Sequence, residues 1–441
     1  MSSSQEISRR LFGSRYWFAI FLALHLLPFA ARPALIGGDE PHFALMAYSM
    51  ATDFDLDLED DYEEVEGGSK AAGRKRAGTR LERHLISAGG RQVFSHPLGL
   101  PALAAPLLFL QQRLSPGAAP DGLLLGLTLL VTFAALAAGW QLLEAAVGDG
   151  RRATFGLLAL VFATPLWFYD RTFFTEPYVA ALGVLALWCQ WRHRPFSASL
   201  LLGLAFLLKE TAALLILPFL LYELARHGWK AAARLALGPA LALGLFGLKN
   251  LILYGEALRT FQPFRVGDPV AGILGLLVDP ATGLLFFAPT AFVLAVGFFV
   301  RGPSEEVWWR RPETYAAFAF LGYFLLTAFW IDWKGGSGYG PRLLVPALPA
   351  LGFPLVRLLR QGRWLRALAA ATVAGFAVQW AAATDPVEAF WSVKIQHLVL
   401  GRPGMFSVGL AVGALLVWAS LRVTPWRAAR GARRGRWPSR G

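Results

Sequence analysis

The chain alternates long apolar runs with short polar loops, most of them basic. An apolar run without a polar face belongs inside a large core or inside a bilayer. The first run, residues 16–35, is about long enough to cross a bilayer at 1.5 Å per residue. Further runs at 122–146, 153–169, 177–191, 235–253, 283–300, 315–331, 343–359, 365–383 and 405–421 predict additional membrane helices. Residues 96–111 are apolar but short and carry Pro97, Pro101 and Pro106, which predicts an interfacial or re-entrant helix. Segment 197–224 has basic residues at both ends, so it must enter and leave on one side. It is too short for two full crossings and predicts a pair of short helices turning near Lys209 and Glu210.

Composition rules out a soluble domain. Of 441 residues 56% are hydrophobic and 16% charged, and mean hydropathy is +0.47. A formal charge of +13 raises nucleic acid as a partner, but the cations fall in small clusters between apolar runs, as membrane orientation requires, and that reading is rejected. Cys189, the single cysteine, lies inside an apolar run, which excludes an internal disulfide or a cysteine metal site.

The basic clusters also fix sidedness. Arg151 and Arg152, Arg192 and Arg194, Arg226 with Lys230 and Arg234, Arg301 with Arg310 and Arg311, Arg357 with Arg360, Arg363 and Arg366, and seven arginines from Arg422 to Arg440 share one side only if 96–111 does not cross. The expected organisation is a cytoplasmic N-terminus (1–15) and a retained first span (16–35). An extracytoplasmic catalytic loop with short interfacial helices (36–119), a transmembrane bundle (120–421) and a basic cytoplasmic tail (422–441) complete it. The fold class is an all-α polytopic membrane protein with about twelve crossings, and the basic second half of the first loop is expected to be mobile.

Against this apolar background the outward polar residues carry the chemistry. Asp39 and Glu40 come within a few residues of the lipid boundary, where a carboxylate is costly unless it meets water, a cation or a substrate. The acids from Asp53 to Asp61 read as a solvated run. Other outward loops hold Asp170, Arg171 and Glu176, then Arg259 and Arg265, and WIDWKGGSGYGPR, which contributes Lys334, Tyr339 and Arg342. Carboxylates at one end and cations such as Lys209, Lys334 and Arg342 at the other suit a phosphate-activated donor: a base for an acceptor hydroxyl and positive charge for a departing phosphate. Asp39, Glu40 and Glu176, with His42, offer oxygen and imidazole ligands for a divalent metal ion, although no cofactor is required by the pattern.

The series GDEPHFALMAYSMATDFDLDLEDDY, SHPLGLPAL, YDRTFFTEP, GLAFLLKETAALLILP and YGPRLLVPALP, spread over 37–349, resembles the GT-C superfamily of integral-membrane glycosyltransferases. Within it the chain is similar to bacterial relatives of the protein O-mannosyltransferases and of the lipid A aminoarabinose transferase. The resemblance implies a GT-C-like bundle in a bacterial plasma membrane that transfers a sugar, hexose or pentose, from a polyprenyl-phosphate donor to a glycan, lipid or protein acceptor on the extracytoplasmic face. It implies Asp39 as general base with Glu40 beside it, Glu176 as the second outer acid, and Lys209 and Arg342 at the donor phosphate. His96 falls at the family's His-Pro pair, and His42, Tyr62 and Tyr339 join it as donor- or acceptor-site candidates. Two departures stand out: Leu98 replaces a second proline, and no large soluble domain follows the last span. A transporter or flippase for a lipid-linked or anionic substrate is the competing class, weakened by the lack of a visible inverted repeat. An assembly subunit of an envelope glycan machine is the third.

Overall fold

A computed structural model describes residues 16–27, 29–30, 35–67, 83–88, 91–260, 264–300, 307–336, 338–362, 364–391 and 395–421. The basic N-terminus, most of the basic half of the first loop and the basic tail lie outside the described residues. The described residues begin with helix α1 (Tyr16–Leu27). The first loop follows with α2 (Glu40–Thr52), α3 (Glu59–Gly67), strands β1 (Leu85–Ala88) and β2 (Arg91–Phe94), and α4 (Gly99–Leu114). The bundle comprises α5 (Asp121–Val147), α6 (Gly150–Leu157), α7 (Pro165–Tyr169), α8 (Thr175–Trp191), α9 (Pro195–Leu208), α10 (Ala213–His227) and α11 (Trp229–Tyr254). It continues with α12 (Pro269–Val278), α13 (Leu284–Phe287), α14 (Pro289–Val296), α15 (Pro312–Phe329), α16 (Gly352–Gln361), α17 (Leu365–Thr384), α18 (Pro386–Trp391), α19 (Ile395–Leu400) and α20 (Pro403–Leu421).

Among the described residues five helical segments are long and apolar enough to cross a membrane: α5, α11, the continuous stretch Arg342–Gln361, α17 and α20. The remaining predicted spans are shorter or interrupted. Segment 153–169 is α6 and α7 joined through a π-helical turn at Leu158–Phe162, and 283–300 is broken at Pro289 between α13 and α14. The expected total of about twelve crossings therefore counts these broken helices together with the five.

The basic-flanked segment 197–224 folds as two short helices. α9 stops at Lys209, whose backbone is extended, and a single 3-10 turn over Glu210–Ala212 leads into α10. Gly238 packs on Ser199, donating its N–H to the Ser199 hydroxyl at 2.7 Å, and Phe206 meets Phe246, so α9 and α11 run the same way in direct contact, with α10 the return leg that connects them. Only glycine fits there: a Cβ on Gly238 would stand 2.1 Å from the Ser199 carbonyl oxygen. The arginine clusters of several loops meet at one end of the bundle. Arg152 donates to the Leu359 carbonyl, Arg360 to that of Ala146, and Arg357 pairs with Glu313 at 3.4 Å.

Two expectations are corrected. Segment 254–282 is not all loop, because α12 forms within it. Its ten residues reach only about 15 Å, and Gly272 and Gly275 let it press against the Ala328 backbone and the Trp333 ring. A ten-residue apolar stretch between turn residues carries too little hydropathy to register as a span. Part of the first loop expected to be mobile is the antiparallel pair β1–β2, registered Leu85 to Phe94 and Ala88 to Arg91. Gly89-Gly90 between LISA and RQVF is the sequence signature of such a hairpin.

Candidate active site

The GGDEP corner after the first helix sets the geometry. Gly38 has φ +62, and a Cβ there would stand 2.9 Å from Phe390 and 3.1 Å from Phe174, so this turn needs glycine. Asp39 follows at the N-terminus of α2 but makes no capping bond. Its carboxylate instead receives the Arg342 guanidinium, Nη1 to Oδ2 at 3.0 Å.

Glu40 turns the other way. It is fully buried, and its two oxygens accept the backbone N–H groups of Ile36 (2.7 Å), Gly37 (3.3 Å) and Phe173 (2.7 Å). Burial raises its pKa, with the Arg171 charge and these N–H groups opposing. Glu40 thus ties the Asp39 turn to the loop before α8, and it does not face Asp39's partners.

Arg342 also reaches Glu176, Nε to Oε1 at 3.7 Å, and Lys209 donates to the same Oε1 at 2.8 Å. The result is an alternating row, Asp39, Arg342, Glu176, Lys209, assembled from four segments as far as 303 positions apart. Each position is explicable locally. Glu176 occupies the first turn of α8, Arg342 begins a 3-10 helix over Arg342–Leu351, and Lys209 is where α9 breaks. Lys209 pairs with Glu176 and not with its neighbour Glu210, so the broken hairpin delivers a cation to the site. The Lys209 and Asp39 side chains keep 21% and 22% of their surface exposed, against 2% for Glu176, so the row is open at its two ends. The Arg342 guanidinium lies 5.0 Å over the Phe174 ring, which fixes its plane.

A second cluster adjoins Asp39. His96 Nε2 lies 2.9 Å from His84 Nδ1, His84 stacks on His42 with centroids 3.8 Å apart, and His42 Nδ1 lies 2.5 Å from the Tyr62 hydroxyl. The hairpin register explains this: Leu85 opposite Phe94 brings the flanking His84 and His96 together. α4 then seats the loop against the bundle, since a Cβ on Gly99 would overlap the Leu207 carbonyl, two residues before Lys209. Burial, reinforced by His84, depresses the His42 imidazole to about 3. Burial also depresses His96 to about 4, the Asp39 charge opposing. Burial raises the Asp39 carboxyl, but Arg342, His96, Lys209 and His84 outweigh it and its pKa lies below the ordinary value.

Asp39, His84 and His96 each present one ligand atom, and the three lie within 4.8 Å of one another. Two imidazoles, of which burial keeps that of His96 neutral at ordinary pH, and one carboxylate suit a zinc-like divalent ion with an open position. Of the metal-ligand candidates read from the sequence, Glu40 and Glu176 point elsewhere, and His84 takes a place that sequence reasoning missed. Only hairpin pairing, invisible without a strand assignment, brings it there.

Two other candidates stand apart from the charged row. Lys334 is exposed, with its ammonium 5.2 Å over the Trp333 ring. Tyr339 is buried, its ring among Phe168 and Phe287, and its backbone exchanges two 2.9 Å hydrogen bonds with the Tyr169 hydroxyl. It holds the glycine-rich loop in place so that Arg342 begins where it does.

No family model and no curated protein sequence matches the chain. Its fold is similar to that in the crystal structure of ArnT from Cupriavidus metallidurans in the apo state, with a TM-score of 0.52 and 18% sequence identity over 93% of this chain and 78% of that one. The all-α polytopic membrane architecture expected from the apolar runs and basic clusters is therefore the architecture the chain adopts.

Proposed function

We propose that the chain is a membrane glycosyltransferase that moves a sugar from a polyprenyl-phosphate donor to an acceptor hydroxyl, at the bundle end opposite the arginine clusters. By the positive-inside rule that end is extracytoplasmic, in a bacterial plasma membrane. The carrying observation is the alternating row Asp39, Arg342, Glu176, Lys209, in which two cations and a candidate base meet beside apolar helices. The fold shared with ArnT supports the same reading, as a transferase using a lipid-linked donor.

In this mechanism the donor phosphate competes with Asp39 and Glu176 for Arg342 and Lys209. As the guanidinium turns to phosphate its hold on Asp39 weakens, so the carboxylate becomes a better base as the donor binds. The acceptor oxygen then forms a bond to the anomeric carbon while the bond from that carbon to the phosphate oxygen breaks. The hydroxyl proton passes to Asp39 and the bonding electrons leave with the phosphate, whose charge Arg342 and Lys209 neutralise. A single displacement inverts the anomeric centre. Glu176 holds the two cations at a working separation, and Glu40 fixes the turn that aims Asp39. A divalent ion at Asp39, His84 and His96 would add positive charge where the acceptor hydroxyl loses its proton.

The test is transfer of labelled sugar from a polyprenyl-phosphate donor by purified protein in nanodiscs, wild type against Asp39→Asn. A loss of about 100-fold or more is expected. Near-normal turnover in the folded variant would remove Asp39 from the base role.

A further inference from the structure

The turn that brings Lys209 to the charged row takes its neighbour Glu210 elsewhere. Glu210 lines a second, small pocket with Lys249, Asn250 and Tyr254 of α11 and with Ser95 and His96, which follow β2. His96 is the wall shared with the row, since one of its ring nitrogens lies within 4.8 Å of an Asp39 carboxylate oxygen. The pocket therefore begins one imidazole away from the proposed base. Arg259 and Thr260 are exposed and mark its outer rim. Its free volume of about 10 Å³ admits one water-sized group.

The polar groups around this opening are short of partners. Among the described residues Glu210 and Lys249 form no ion pair. The Glu210 carboxylate accepts only its own backbone N–H, and the Lys249 ammonium lies 5.1 Å over the Phe246 ring and 5.7 Å over that of Tyr254. Asn250 is fully buried and spends both amide hydrogens on the carbonyls of Ala257 and Arg259, at 3.1 and 2.8 Å. Its Oδ1 is left as an acceptor with no donor among the described residues, and the buried Ser95 hydroxyl has no partner among them either. Buried polar groups in native proteins are hydrogen-bonded, so several unpartnered ones around one opening mark a place for a ligand atom.

The charges select the chemistry of that atom. The interior holds one carboxylate and one ammonium, and the third charge, Arg259, lies at the rim, 5.0 Å over the Tyr254 ring. A bare cation would face Lys249, and a bare anion would face Glu210. A hydroxyl suits both, accepting from the ammonium and donating to the carboxylate. We infer that this pocket is a sugar subsite of the transferase, in which one hydroxyl of a sugar ring bridges Glu210 and Lys249. The inference rests on the transferase reading. A donor whose phosphate lies on Lys209 carries its sugar past the next residue, Glu210, and an acceptor sugar poised at Asp39 reaches the pocket past His96, so either substrate can supply the hydroxyl.

Equilibrium binding to purified protein in nanodiscs tests this without any transfer being read. The donor probes are polyprenyl phosphates of glucose, mannose and arabinose. If the donor fills the pocket, the best of them is expected to bind about tenfold tighter than sugar-free polyprenyl phosphate, the size of one hydrogen bond to a charged group. Glu210→Gln and, independently, Lys249→Met should bring that ratio near one. A deoxy donor lacking the bridging hydroxyl should lose the same factor in wild type and nothing in either variant. If the acceptor fills the pocket, the same pattern appears instead with the methyl glycosides of these sugars, bound in the presence of polyprenyl phosphate. A sugar-dependent gain that both folded variants retain for both kinds of ligand overturns the proposal, and so does the absence of any gain. Tighter binding of sugar-free polyprenyl phosphate to Glu210→Gln than to wild type also overturns it, by assigning the pocket to an anion. The transferase reading stands or falls separately: it requires Arg342→Ala to weaken binding of sugar-free polyprenyl phosphate, whatever the pocket does.

Discussion

Between Gly37 and Glu40 two carboxylates each draw partners from distant segments, Arg342 for Asp39 and the Phe173 N–H for Glu40. Between Asp53 and Glu64 eight carboxylates crowd a stretch of similar sequence character, yet six of them are exposed. Their hydrogen-bond partners among the described residues are near in sequence or lie on the adjoining hairpin: Asp55 accepts from Ser49, and Asp57 from the backbone of Glu59 and Gln92. Charge density is therefore a poor guide to chemistry. The sparse pair is constrained from several sides, and the dense run is mostly exposed to solvent.

The comparison is tested hardest at Asp39, where loss of the carboxylate should cost the roughly 100-fold or more given above, while Asp60→Asn in the dense run should change transfer little. Next come the partners. Arg342→Ala and Lys209→Ala should each raise the apparent donor KM about tenfold, since charge-assisted contacts contribute about 1.5 to 3 kcal/mol. Unchanged donor kinetics in both folded variants would make the row a structural brace.

Glu40→Gln sharpens the difference between neighbours. The amide sets a donor against three backbone N–H groups that now share two carboxylate oxygens, so it should lower stability by about 1 to 3 kcal/mol. Thermal unfolding measures it, and a midpoint equal to wild type would contradict the positioning role.

The smallest effect concerns Asp61, the buried exception in the dense run. Burial lifts its carboxyl to about 7 from 3.8, with neighbouring Asp60, Asp53 and Asp55 adding to the rise and Ser49 opposing. As pH climbs from about 4 to 7 the unfolded chain releases this proton before the native one does, so this residue makes the native state progressively less stable, with no further change above about 7. The unfolding midpoint of wild type should fall relative to Asp61→Asn across that window. A constant offset between the two would show that Asp61 ionises normally.

The sequence by itself determined the membrane class, the common side of the arginine loops, the break at Lys209 and the singling out of Asp39. Each of these is set by local hydropathy, by charge counted along the chain, or by one ionisable residue in an apolar setting. The tertiary structure decided which acid meets which cation: Lys209 takes Glu176 in place of Glu210, and Glu40 serves the backbone. It also placed His84 beside Asp39, kept Lys334 away from the row, and formed α12. These depend on contacts between residues up to 303 positions apart, on strand register and on glycine contacts that admit helix against helix. Periodicity reports how a segment faces its surroundings, and only packing decides which segment those surroundings are.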